Sequence, residues 1–166
     1  MISAILFFHN SPIHQPLESM AMPTNKLLDT ISFFNIFSPE EKQRILDSES
    51  YFESFEPGEK IIEEGSMDSS LYILIKGKAK VSKRDRPENV LTVLSAGTVM
   101  GELSFLTRRP RSSDVTATEK VVCFTLNSET MAQLQSGMQH KIKDQLIEVL
   151  IGRLDDMNAL YLNSLR

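Results

Sequence analysis

The stretch Leu71-Tyr72-Ile73-Leu74-Ile75-Lys76-Gly77-Lys78-Ala79-Lys80-Val81-Ser82-Lys83 decides the fold. Leu71 to Ile75 is continuously apolar, the pattern of a strand covered on both faces. Lys76-Gly77 then predicts a tight hairpin into a second strand, Ala79–Lys83. Outward from this pair the strand period holds from Tyr51 to Leu126. Further runs are Tyr51–Phe55, Lys60–Glu63, Val90–Leu94, Ser112–Ala117 and Val121–Thr125. Turn residues separate them: Pro57-Gly58, Gly65, Pro87-Glu88-Asn89 and Ala96-Gly97. Pro57-Gly58 suits a type II turn, because glycine accepts the positive φ of the third position. Many short strands at this spacing predict a sandwich or barrel.

Helical periods flank the strands. Residues 1–23 hold three prolines and little pattern, and read as a tail. Met20 and Met22 are alternative starts within it. Thr24 or Asn25 can cap a first helix carrying Leu27, Leu28 and Ile31. Ser38-Pro39-Glu40-Glu41 is a strong restart, with a serine cap, proline at the first helical position and glutamate at the third. After the strands, Ser128 can cap a short helix ending near Gly137, and a long helix is expected from about His140. In it Ile147, Leu150, Leu154, Met157 and Tyr161 are spaced three, four, three, four, which is a coiled-coil seam. About 25 residues at about 1.5 Å each make a helix near 38 Å long, more than one small barrel can cover. Two outcomes are open: a parallel homodimer about the seam, or a stripe folded back on its own barrel. The expected division is therefore the tail, then one domain from 24 to 166: helices over 24–49, barrel over 51–126, helices over 128–166.

Composition excludes several classes. Of 166 residues 41% are hydrophobic, enough for a packed core, and the net charge of −4 does not favour nucleic acid. A single cysteine, Cys123, forms no internal disulfide and fits a reducing, cytoplasmic compartment or simple indifference to redox. No run approaches membrane-spanning length. Met1–Phe8 is apolar but lacks the basic start and cleavage site of a signal peptide. His9, His14 and His140 show no metal spacing, and Gly77-Lys78 lacks the glycine loop of a phosphate-binding lysine motif. No nucleophile elbow or other catalytic constellation is present, so no enzyme and no metal are expected.

The chemistry is concentrated between Gly97 and Ser113. Gly101 followed by Glu102-Leu103-Ser104-Phe105-Leu106 can form one helical turn whose free amides favour an anion. Arg111, ten residues on, can meet that anion with parallel hydrogen bonds if the loop folds back. Glu102 repels phosphate, so its use there is to accept from a hydroxyl. One cation, one hydroxyl acceptor and several backbone donors describe a sugar-phosphate site. Arg108 and Arg109 read as a solvated loop that raises the local positive potential.

Gly101-Glu102-Leu103-Ser104-Phe105-Leu106, followed by Arg109-Pro110-Arg111-Ser112-Ser113, resembles the phosphate-binding cassette of cyclic-nucleotide-binding domains. Catabolite activator proteins, regulatory subunits of cyclic-AMP-dependent kinase and cyclic-nucleotide-gated channels belong to that family. Phe55, Gly58, Ile61, Gly65, Tyr72, Ile73, Gly77 and Val81 repeat its upstream spacing, so the resemblance runs from about Phe34 to His140. It implies a mainly β fold, a double-stranded β-helix (jelly-roll) barrel with N-terminal helices and a long C-terminal helix. It also implies roles. Gly101, Leu103 and Ser104 would present backbone groups, Glu102 would take the ribose 2′-OH, and Arg111 would neutralise the phosphate. Ser112 would offer hydroxyl and amide, and Ser113 its amide. The base would sit between the barrel wall and the C-terminal helix.

Two positions depart from the family pattern. Met100 stands where an aromatic residue is common, and Ser112 resembles the serine of the catabolite activator group, which leans toward cyclic AMP over cyclic GMP. The chain ends at Arg166 after the long helix, so no DNA-binding helix-turn-helix is expected. The expectation is a cyclic-nucleotide sensor whose C-terminal helices repack when ligand binds. The alternative is an interaction module that keeps the barrel without the ligand.

Overall fold

In the computed structural model, which describes residues 23–165, the strand period becomes eight strands in two antiparallel four-stranded sheets. They are β1 (Phe52–Phe55), β2 (Lys60–Ile62), β3 (Leu71–Lys76), β4 (Ala79–Lys83), β5 (Arg86–Leu94), β6 (Val99–Met100), β7 (Asp114–Ala117) and β8 (Val121–Leu126). One sheet has the order β1-β8-β3-β6 and the other β2-β7-β4-β5. Apart from Pro23, the predicted tail lies outside the described residues, with Met20, Met22, His9 and His14.

Burial explains the unbroken apolar runs. In β3, Leu71, Ile73 and Ile75 pack with the helices, while Tyr72 and Leu74 join the core between the sheets. In β8, Val122, Phe124 and Leu126 take the helical side, and Val121 and Cys123 the inner side. Each strand is covered on both faces and has no polar side to show. Phe124 is the hub, with Phe34 edge-on at 5.3 Å and Tyr51 stacked at 5.8 Å.

Lys76-Gly77 does not close a hairpin. Both edges of β3 are taken, by β8 and β6, and β4 pairs with β5 and β7. Gly77 instead carries the chain from one sheet to the other at φ +93°, so close to the facing turn that a Cβ would meet Lys120 O at 2.4 Å. The hairpin forms one step later, at Lys83-Arg84-Asp85-Arg86, a stretch that reads in sequence as a charged hairpin turn, with Lys83 paired to Arg86. Pro87-Glu88-Asn89 is strand rather than turn. β5 lies at a sheet edge, where a proline breaks no ladder.

Five α-helices cover the first sheet: α1 (Asn25–Asp29), α2 (Pro39–Leu46), α3 (Glu102–Thr107), α4 (Ser128–Gln133) and α5 (Ser136–Ser164). Thr24 caps α1, and Ser38 with Glu41 forms the expected capping box on α2. Asn127, not Ser128, caps α4: its Oδ1 accepts from Thr130 N at 2.9 Å, and the Thr130 hydroxyl oxygen accepts from Asn127 N at 3.0 Å. The break between α4 and α5 is only Leu134-Gln135, so the long helix starts at Ser136 with Gly137 in its first turn. Met138, Ile142 and Leu146 bury one face of α5, and Val149 packs beside them. Beyond Leu146 the helix runs on with Ile147, Leu154, Met157 and Tyr161 more than half exposed. The stripe does not fold back on its own sheets. No helix among the described residues is long and apolar enough to cross a membrane.

Candidate functional site

Gly101 ends β6 and caps α3 in the left-handed region, φ +79°. The guanidinium of Arg111 lies directly against its Cα, and a Cβ there would fall 2.1 Å from Arg111 Nη1. Only glycine fits. Arg111 Nη1 donates to Gly101 O at 3.0 Å, while Nη2 donates to the carboxylate of Asp68 and to Ser70 O. The guanidinium also lies over the Tyr72 ring, 5.8 Å from its centre. Arg111 is 3% exposed, and its buried Nε has no hydrogen-bond partner among the described residues. A buried guanidinium donor without an acceptor is costly unless another molecule supplies one.

Its carboxylate partner is Asp68. Asp114, three residues along the chain, is engaged elsewhere: it accepts from Glu64 N at 2.7 Å and from Lys60 at 3.0 Å. Burial opposes ionisation of Asp68, but hydrogen bonds from Arg111 and Ser70 outweigh it and hold the carboxyl below its ordinary range. Burial, reinforced by the charge of Asp68, pushes the Tyr72 hydroxyl up.

Glu102 opens α3, is 5% exposed, and accepts from Arg153 of α5. Arg153 also donates to Val99 O at 2.5 Å. Between Glu102 and Arg111 opens a cavity of about 390 Å³, lined by all seven residues singled out in the sequence: Gly101, Glu102, Leu103, Ser104, Arg111, Ser112 and Ser113. Ile62, Val81, Leu94 and Val115 make an apolar wall, with Thr92 beside them. The predicted strand at Ser112 starts instead at Asp114. Arg111 N and O are held by Ser66 O and Gly65 N at 2.9 and 2.8 Å, which leaves Ser112 and Ser113 as the rim. Size and lining suit a small molecule with an anionic end, a hydroxyl and an apolar body.

Sequence reasoning missed Asp68, Ser70 and Arg153. Asp68 and Ser70 sit in a polar loop with no spacing signal, and Arg153 lies between the seam positions of a helix. Arg108 is exposed, as a solvated loop requires, but its guanidinium also bonds Ser69 and Ser128 at 2.7 and 3.0 Å, contacts that no local pattern announces. Among the described residues no cluster could hold a metal ion.

Residues 52–137, more than half of the chain, match the family model described as cyclic nucleotide-binding domain. The chain is 32% identical to a cGMP-dependent protein kinase of Toxoplasma gondii over 75% of its own length and 12% of that protein. It is also 32% identical to a CRP-like cAMP-activated global transcriptional regulator of Mycobacterium tuberculosis, over 59% of its length and 44% of that protein. It thus spans less than half of either relative. Among solved structures, the regulatory subunit of a cAMP-independent protein kinase A from Trypanosoma brucei superposes with a TM-score of 0.61 at 29% identity, over 85% of this chain and 48% of that one. A domain that places a buried arginine and a buried glutamate on either side of one cavity, and matches this model across its β core, belongs to the cyclic nucleotide-binding domain family.

Proposed function

We propose that the chain is a regulatory sensor that binds cyclic AMP, and not an enzyme. The observation that carries this reading is the partnerless Nε of buried Arg111 on the wall of a cavity whose opposite side holds Glu102. Arg111 neutralises the cyclic phosphate and Glu102 accepts the ribose 2′-OH. Backbone groups of Gly101, Leu103 and Ser104 line the sugar phosphate, and Ser112 and Ser113 close the rim. The apolar wall takes the base. Relatives named for cyclic GMP and for cyclic AMP leave the base open; Ser112 favours cyclic AMP. The strand orders β1-β8-β3-β6 and β2-β7-β4-β5 fit the two halves of a jelly roll, and residues 24–166 form one domain.

Output runs through α5. Arg153 ties that helix to Glu102, so ligand and a seated helix favour each other, and the differential affinity for the two helix packings sets the response. The exposed seam of Ile147, Leu154, Met157 and Tyr161, with half-buried Leu150, pairs two copies into a homodimer. An interaction module that has lost its ligand would have no use for a buried, partnerless arginine donor.

Calorimetric titration of cyclic AMP and cyclic GMP against the wild type and Arg111→Ala tests the reading. Losing one partner of a buried charge contact costs roughly 2–5 kcal/mol, so Arg111→Ala should weaken binding about 30-fold or more. Equal affinity of the two proteins, or no binding of either nucleotide to the wild type, refutes it.

A further inference from the structure

Arg108 is the one non-glycine residue in the left-handed region among the described residues, at φ 58°. It occupies the C-terminal cap of α3, and its N–H returns to Ser104 O at 2.9 Å. Glycine is the residue that such a cap favours, because any Cβ is crowded there. What an arginine adds is reach. Its Nη1 donates to Ser69 Oγ at 2.7 Å and to Ser128 Oγ at 3.0 Å. Ser69 lies between Asp68 and Ser70, the two residues that accept from Arg111 Nη2. Ser128 is the first residue of α4. One nitrogen on a strained backbone therefore joins the end of α3, the loop that cradles Arg111, and the helix that leads into α5.

We propose that Arg108 is a positioning residue that fixes the Arg111 cradle to α4, so that seating of a ligand at Arg111 is passed to the C-terminal helices. The part concerning transmission rests on the sensor reading above; the clamp itself does not. The side chain, not backbone economy, is the reason for arginine at this position.

The experiment is hydrogen exchange on the full chain, empty and with cyclic AMP, for the wild type, Arg108→Gly and Ser128→Ala. Arg108→Gly removes the clamp and also the Cβ crowding, so its melting temperature should not fall. Amides of loop 66–70 and of α4 should nevertheless exchange about fivefold to tenfold faster in the empty protein, the loss of one or two hydrogen bonds. Ser128→Ala should loosen α4 and leave loop 66–70 as in the wild type. With cyclic AMP, both variants should still gain protection around Arg111 but lose the gain in α4. Unchanged exchange in empty Arg108→Gly overturns the clamp. A full ligand-induced gain in α4 of that variant overturns transmission. A wild type that binds no cyclic nucleotide would sink the sensor reading while the empty-state arm still judged Arg108.

Discussion

Arg153, halfway along the C-terminal helix, donates to Glu102, the first residue of the cassette helix, across 51 positions of sequence. The acid is buried and the arginine partly exposed, so the pair closes one end of the cavity with a charge on the solvent side. Glu102 alone would repel an incoming phosphate. With Arg153 on Oε1 that charge is balanced, and the carboxylate still has lone pairs for a hydroxyl. The same bond fixes the rotation of α5 at the residue where its buried face gives way to its exposed one.

Arg153→Ala should therefore weaken cyclic AMP binding about tenfold, by leaving a buried carboxylate unbalanced beside the phosphate. The partner-specific part is read from a double-mutant cycle. In a Glu102→Gln background the same truncation should cost no more than about twofold, because no charge is left to balance. Calorimetry on the four proteins checks this. Equal losses in both backgrounds would detach Arg153 from Glu102.

Gly101→Ala has a steric outcome. The new Cβ would sit 2.1 Å from Arg111 Nη1 and 2.9 Å from Ser70 O, on a backbone at φ +79°. The guanidinium must move, and with it the bonds to Asp68 and Ser70. We expect a loss of about 2 kcal/mol or more in stability together with loss of cyclic nucleotide binding, measured by denaturation and titration. Gly97→Ala is the control: it shares a positive φ but has nothing within 4 Å of the added carbon. It should lose stability and keep affinity.

The exposed stripe predicts an assembly. Leu154 is 57% exposed and away from the core, so Leu154→Glu should leave the fold intact while halving the mass seen by light scattering at micromolar concentration. Tyr161 occupies the same heptad position as Ile147 and Leu154, and in a parallel pair it meets its own copy. Tyr161→Cys should then cross-link under mild oxidation, since the native Cys123 is fully buried. A monomeric wild type, or no cross-link, removes the parallel dimer.

How much of this was legible depended on the range of the interaction. Capping by Thr24 and Ser38 needs three or four consecutive residues and could be read directly. So could the two-sided burial of Leu71–Ile75, which leaves an unbroken apolar run. Val99–Met100 was missed, because two residues show no period. Lys76-Gly77 reads as a hairpin, because a turn residue announces a turn but not which sheet the chain enters next. The cassette lay in one segment and all seven of its residues meet at the cavity. Asp68 and Arg153 come from 43 positions before Arg111 and 51 after Glu102, and no local pattern links them.

Acid should loosen the segment that carries Arg111, through Asp68 and Asp114. Asp114 is buried; burial opposes its ionisation, yet the Glu64 amide and Lys60 hold its carboxyl below the ordinary value near 3.8. Asp68 is shifted in the same direction by Arg111 and Ser70. A carboxyl depressed on folding contributes stability that is complete above its unfolded value and is lost as pH falls through the lower folded value. Both contributions are thus intact at neutral pH and start to be lost only as pH falls below about 3.8. Asp114→Asn should cost about 1–3 kcal/mol at pH 7, by removing the buried charge that Lys60 pairs with and weakening the tie to Glu64 N. Its stability should also fall less steeply than that of the wild type between pH 4 and pH 2. Urea midpoints across that range give both slopes. Parallel curves for the two proteins would mean that Asp114 titrates alike in the folded and unfolded chain, and that the zipper between residues 64–66 and 111–114 does not depend on its charge.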